Sequence, residues 1–263
     1  MLNKLLHSQL QLGFAQAAAA FVTAFAVVMF GRRRGIHLER ETLIAMIRGI
    51  VQIVAVGFIL LVLLQAPNWI SAFLLAAMIV AAGSISAGRA KGIPGAFQIS
   101  TLAIAAGAGS VIVLMTWLGV INPALTSLVP VGSMLIANAM NTNGLALNRL
   151  RSDVLAKVGE IETALALGAD SKTSIAPYMQ ASLESSLIPA IDSLRSLGIV
   201  WIPGLMAGML LSGSRPIYAA IYQFVVLAMI FAASGLTAMI STLMVRKQIF
   251  SPADQLILSA DAG

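Results

Sequence analysis

The sequence contains no cysteine, only two histidines and very little charge. Without cysteine there is no disulfide framework, no thiolate metal site and no cysteine nucleophile. His7 and His37 are far apart and make no chelating pair, so a metal site would have to use methionine, asparagine or carboxylate ligands. Charged residues make up 10% of the 263 positions, where a soluble domain carries about 25%. No GxxxxGK[ST] loop occurs, so the chain has no element of its own to cradle the phosphates of ATP. The last apolar run has no lysine for a Schiff base, and no paired intramembrane carboxylates suggest a proton relay. Hydrolytic chemistry finds no support either.

What is present is apolar. Hydrophobic residues form 59% of the chain and the mean hydropathy is +0.94, which puts it in the membrane class. A helix needs about 20 mostly apolar residues to cross the hydrocarbon layer. Seven segments qualify, at about 10–30, 43–64, 70–87, 99–121, 130–147, 183–212 and 217–245. Lys4 alone precedes the first run, which passes into a basic stop-transfer sequence at Gly31–Arg34 and so does not read as a cleaved signal peptide.

The net charge of +6 is a topology signal rather than a nucleic-acid footprint. Arg32, Arg33, Arg34 and Arg40 follow the first span, and Arg89 and Lys91 the third. Arg149, Arg151, Lys157 and Lys172 follow the fifth, and Arg246 and Lys247 the seventh. Such one-sidedness predicts an N-terminus outside and a C-terminus in the cytoplasm. The expected architecture is all-α and polytopic, with about seven transmembrane helices. One transmembrane domain covers 1–250, including a cytoplasmic segment at about 149–182, and a cytoplasmic tail follows at 251–263. Within that segment Val154, Val158, Ile161, Leu165 and Leu167 recur at roughly helical spacing, predicting an amphipathic helix over 154–168 that ends at Gly168.

Several polar groups lie where hydrocarbon cannot solvate them. In the fifth span Asn138, Asn141 and Asn148 share one helical stripe with Met134 and Leu145, while Asn143 lies off it, beside Gly144. An unpaired buried amide costs about 1–3 kcal/mol. The stripe is therefore expected to face other helices or a wet cavity, as interhelical glue, as pathway lining or as both. In the sixth span Pro189 and Pro203 invite kinks, Asp192 and Arg195 are i, i+3 neighbours, and Gly204 and Gly208 form a GxxxG pattern. Met206 and Met209 suit either packing or a soft-ligand patch. Arg48 and Gln52 share a face of the second span. Arg48 needs Asp192 or Glu184 as a partner, an aqueous vestibule, or a route to the interface by snorkelling. These nine, Arg48, Gln52, Asn138, Asn141, Asn148, Asp192, Arg195, Met206 and Met209, are the candidate pathway residues. No residue is assigned as catalytic or as a metal ligand.

The segment PVGSMLIANAMNTNGLALNRL at 130–150 resembles FetB-like ABC-transporter permeases, where a proline precedes a methionine-rich stretch, an asparagine and an ending close to SLALNRL. LIPAIDSLRSLGIVWIPGLMAGMLLSGSRPIYAAIYQ at 187–223 is similar to that family's later pattern, with Pro189, Gly198, Pro203, Gly204, Met206, Gly208, Gly213, Pro216, Ala219, Tyr222 and Gln223 in register. RGIVQIVAVGFIL, from Arg48, resembles its second helix. The chain departs from the pattern at Leu205, Met209, Asp192 and Thr142–Gly144.

The resemblance implies a permease subunit in a bacterial inner membrane, without catalysis or a bound cofactor of its own. It would pair as a homodimer and be driven by a separate cytoplasmic ATPase that binds ATP. Bacterial relatives are associated with iron export and plant relatives with aluminium tolerance. Glu162 and Gly168 have the Glu-x5-Gly spacing of the loop that docks on the ATPase in many ABC importers, although the usual Ile-x-Leu-Pro continuation is missing. Glu160, Glu162, Leu165 and Gly168 are the candidate coupling residues, with a plain interfacial helix as the alternative. A membrane sensor or assembly factor and an ion-driven secondary carrier are the competing functional classes.

Overall fold

The computed structural model describes residues 9–35, 39–63, 67–251 and 255–258. Lys4, His7, His37 and most of the tail past Ser251 lie outside the described residues. Among the described residues there are nine helices and no strand, the expected all-α architecture. They divide into two compact units, Met1–Ala66 and Pro67–Gly263.

The first unit pairs α1 (Gln9–Arg33) with α2 (Glu39–Leu63). Arg32 and Arg33 close the last turn of α1, while Glu39 and Glu41 open α2. Each charge thus opposes the partial charge of its helix end. Arg32 Nε lies 3.4 Å from Glu39 Oε1, and Gly35 takes φ 79 in the turn.

The second unit contains α3 (Ile70–Arg89), α4 (Ala96–Trp117), α5 (Leu125–Ala156), α6 (Val158–Ala166), α7 (Ser171–Ser196), α8 (Gly204–Leu211) and α9 (Pro216–Ile249). α9 packs against α4, α5, α7 and α8. Small residues let the backbones approach. A Cβ on Gly83 would stand 2.9 Å from Thr101 Cα, and one on Gly107 would stand 2.6 Å from Thr237 N. With lipid as apolar as leucine, such close packing replaces water exclusion as the force between helices.

One apolar cluster includes Leu75, Ile104, Leu135 and Ile230. A second, at the other end of α5, joins Leu147, Leu150, Ile161, Ile175 and Val245. That second end also carries the ends of α3, α5 and α9 with their arginines, Arg89, Arg149 and Arg246. The one-sided basic residues that belong to this unit therefore gather at one end of it.

Among the described residues five helices are long and apolar enough to cross a membrane: α1, α2, α3, α4 and α9. The other two expected spans are built differently. The fifth lies within α5, whose 32 residues run on through Arg149, Arg151 and Asp153, so amides and charges dilute its apolar character. The sixth is not continuous. α7 runs unbroken through Pro177 and Pro189 but stops at Ser196, and α8 starts only after Pro203. Gly198 takes φ 75 at the break, and the N–H groups of Ile199, Val200 and Trp201 all donate back to Ser196 O.

The amphipathic helix also has a different start. Val154 belongs to α5, the chain bends at Lys157, and only Val158–Ala166 forms the separate helix α6. It ends as expected at Gly168, which takes φ +92, with Ala169 N donating to Ala164 O at 3.0 Å.

Candidate functional site

The buried amide of α5 is the one off the stripe. Asn143 is fully buried, and its Nδ2 donates to Ser86 Oγ of α3 at 2.8 Å and Ser100 Oγ of α4 at 3.0 Å. It ties three helices together, which is the glue role. Its Oδ1 is buried without an acceptor's partner. Gly144 beside it leaves room for Arg89, whose Cδ would lie 2.9 Å from an added Cβ.

Asn138, Asn141 and Asn148 lie instead on an exposed face of α5. Asn138 Nδ2 donates to Met134 O of its own helix at 2.8 Å, and Asn141 Oδ1 accepts from Arg89 Nη1 at 3.4 Å. Beyond that bond to α3, no described side chain of another helix in this unit is hydrogen-bonded to the stripe.

Two further polar features belong to α7. Asp192 and Arg195 form the expected i, i+3 pair, at 3.7 Å, with side chains 60% and 78% exposed. Glu184 accepts from Gln180 Nε2 at 2.8 Å. Both carboxylates considered for Arg48 thus have neighbours on their own helix. Arg48 and Gln52 lie one turn apart on α2 of the first unit, both exposed.

Met206 and Met209 are half-buried on α8. The polar partner of this helix is a residue that the sequence marked only as a motif match. Gln223 of α9 is fully buried, and its Oε1 accepts from Met206 N at 3.2 Å. It supplies from a neighbouring helix the cap that Pro203 cannot give. Its Nε2 has no partner. The available signal was a lone amide two turns into a long apolar helix. Among the described residues no three His, Asp or Glu side chains come together as a metal site.

At the basic end, α6 buries Ile161 and half-buries Val158 and Leu165, but Leu167 is 85% exposed, not on the apolar face as expected. It lies past the last helical turn, where the chain has already turned outward. Glu160 pairs with Lys157 and accepts from Tyr178 Oη of α7 at 3.2 Å. These hydrogen bonds, Lys157 first, hold its carboxyl below the usual carboxylate range. The same bond holds Lys157 above the usual lysine value. Burial and then Glu160 push the Tyr178 hydroxyl up. Glu162, Leu165 and Gly168 border an open groove of about 780 Å³, whereas Glu160 borders a separate one on the other side of α6. The candidate coupling residues thus occupy two sides of one short helix.

A chain with several bilayer-length apolar helices, a helix broken between Ser196 and Gly204 and a basic end built on a short amphipathic helix is a multi-pass, all-α integral membrane protein. The chain belongs to the UPF0014 family: the model of the "Uncharacterised protein family (UPF0014)" matches residues 14–250. It is 35% identical over 243 residues to the UPF0014 membrane protein STAR2 of Oryza sativa subsp. japonica, covering 91% of this chain and 84% of that one. It is 31% identical over 247 residues to Protein ALUMINUM SENSITIVE 3 of Arabidopsis thaliana, covering 93% and 90%. It is 28% identical over 243 residues to the probable iron export permease protein FetB of Escherichia coli, covering 92% and 94%. These bear out the resemblance read from the motifs. No solved structure matches.

Proposed function

We propose that this chain is the membrane-spanning subunit of an ABC-type permease, working as a homodimer and driven by a separate cytoplasmic ATP-binding subunit. The observation that carries this reading is the exposed amide stripe of α5. Asn138, Asn141 and Asn148 lie exposed on the apolar second unit, where Arg89 of α3, bonded to Asn141, is the one polar side chain of another helix described against them. Hydrocarbon does not tolerate such a face, so a second copy and the aqueous route between the copies account for it. The exposed pair Asp192–Arg195 makes the same demand. Arg48, Gln52, Met206 and Met209 complete the proposed pathway set.

α6 is the element on which the motor acts. Closure of the ATP-binding subunits would push it, and α5 and α7, which flank it in sequence, would move and change access to the stripe. The name of the Escherichia coli relative favours iron as cargo and export as direction. The one-sided basic residues favour an N-terminus outside the inner membrane and a C-terminus in the cytoplasm.

Inside-out vesicles holding the chain and its ATP-binding subunit test the proposal. ATP should drive iron uptake into them, and Asn138→Leu with Asn141→Leu should reduce that uptake by tenfold or more. Uptake that proceeds equally without ATP would point to an ion-driven carrier. Unchanged uptake in the double variant would remove the stripe from the path.

A further inference from the structure

The coupling candidates on α6 have a neighbour that no motif singled out. After α9 ends at Ile249 the chain doubles back, and Phe250 and Leu256 form an antiparallel bridge. Ser251 N donates to Gln255 O at 2.8 Å, and Ile257 N donates to Ile249 O at 2.8 Å. Gln255 N donates to Ser251 Oγ at 3.1 Å. The returning segment is then nailed down by Leu258, which is 5% exposed and shares one apolar cluster with Ile161 of α6, Ile175 and Met179 of α7 and Ile249 of α9. The tail and α6 are therefore two walls standing on a single core.

The open groove of about 780 Å³ lies between those walls, lined by Glu162, Leu165, Gly168 and Asp170 on one side and by Gln255 and Leu256 on the other. Its charge is opposite to that of its surroundings. Lys157, Lys172, Arg246 and Lys247 all belong to this end of the unit, yet among the described residues no cation lines the groove. Glu162 makes no ion pair among the described residues, while Asp170 accepts from Thr173 N as the N-cap of α7. That capping bond uses one carboxylate oxygen and leaves the negative charge in place. Leu165 and Leu256 supply apolar contact for the stem of a long side chain beneath the two carboxylates.

We infer that residues 255–258 are part of the surface that receives the ATP-binding subunit, and that the groove between this tail and α6 takes a basic side chain of that subunit. The inference rests on the permease reading and adds a second wall to its docking surface. A guanidinium fits the lining better than an acidic or purely apolar group, because it matches two carboxylates and stacks its stem on leucine. Anchoring by Leu258 also ties the docked surface to α9, so a push on the groove reaches two long helices rather than α6 alone.

The test uses the full chain in detergent or nanodiscs and the purified ATP-binding cassette subunit that copurifies with the wild-type chain. Leu167→Asp, on the exposed tip of α6, serves as the control for the permease reading and should abolish copurification. Gln255→Arg places a like charge at the groove on an exposed position that the core does not use. It should weaken binding by about tenfold or more, and Glu162→Arg should match it. Leu258→Ser, which releases the tail, should weaken binding to a similar degree. Loss in Leu167→Asp with wild-type affinity in Gln255→Arg would overturn the tail's role and leave the permease reading standing. If no ATP-binding subunit copurifies with the wild-type chain, that reading falls and this inference with it. Should Leu258→Ser fail to yield monodisperse protein, Gln255→Arg alone decides.

Discussion

Gly107 and Gly109 sit two residues apart on α4 and face opposite fates. A methyl group on Gly107 would meet the Thr237 backbone, with N at 2.6 Å and Cα at 2.8 Å, whereas one on Gly109 meets nothing within 4 Å. Backbone cannot rotate aside, so Gly107→Ala must push α4 from α9. Overpacking of this kind costs about 1–3 kcal/mol. Thermal unfolding in detergent should show the loss for Gly107→Ala and none for Gly109→Ala. Equal melting temperatures would mean that the α4–α9 crossing is looser than described. Gln223 poses a subtler case. Gln223→Leu removes the acceptor that caps α8 and also a buried donor without a partner. The two effects oppose one another, so global stability should change by about 1 kcal/mol or less. α8 itself should loosen, and hydrogen exchange in the peptide 199–211 should speed up about tenfold. Unaltered exchange there would show that Gln223 does not hold the helix.

At the scale of elements, what was legible in the sequence depended on which force shaped each one. Apolar runs revealed α1, α2, α3, α4 and α9 because length and hydropathy alone specify a bilayer-crossing helix. The break between α7 and α8 was half visible. Pro203 and Gly198 marked it, but Ile199, Val200, Trp201 and Ile202 continue the apolar run, and hydropathy is blind to where backbone hydrogen bonds go. The role of Asn143 was not legible for a related reason. Helical phase set it apart from the stripe, while its burial is decided by Ser86 and Ser100, 57 and 43 residues away in sequence. The start of α6 was missed because Val154 continues its apolar periodicity across the bend at Lys157.

The attachment of α6 to α7 also carries a pH dependence. Glu160 is held by Lys157 and Tyr178, and its carboxyl is depressed, so its share of the attachment is complete above the ordinary carboxylate value of about 4.3. That share is lost as pH falls through the lower, folded value. Proteolysis between Lys157 and Lys172 should therefore rise only below about pH 4. A rise already near pH 6 would assign the attachment to another group.

At the scale of the whole second unit, the unusual feature is a polar face left on the outside of that apolar unit. Asn143 shows how this chain treats an amide that must be hidden: two hydroxyls from two helices receive it. Asn138, Asn141 and Asn148 stay exposed even though Arg89 reaches Asn141, and the Asp192–Arg195 pair is equally open. Such a face on a membrane-spanning unit calls for water or other protein against it. The family membership, the amphipathic α6 and the groove beside the tail all fit a subunit that draws on a soluble motor at one end and opens a polar route along its length.

Because the chain has no cysteine, it is already the background for the most direct test of that route. Single cysteines at Asn138 and Asn141 are compared with one at Val113, an apolar position of α4 that is 69% exposed and faces lipid on this account. In sealed vesicles a water-soluble maleimide should modify positions 138 and 141 at least tenfold faster than position 113, with the ratio changing when the ATP-binding subunit and ATP are added. Labelling of all three at the same slow rate would place the amide stripe out of reach of water and contradict the account.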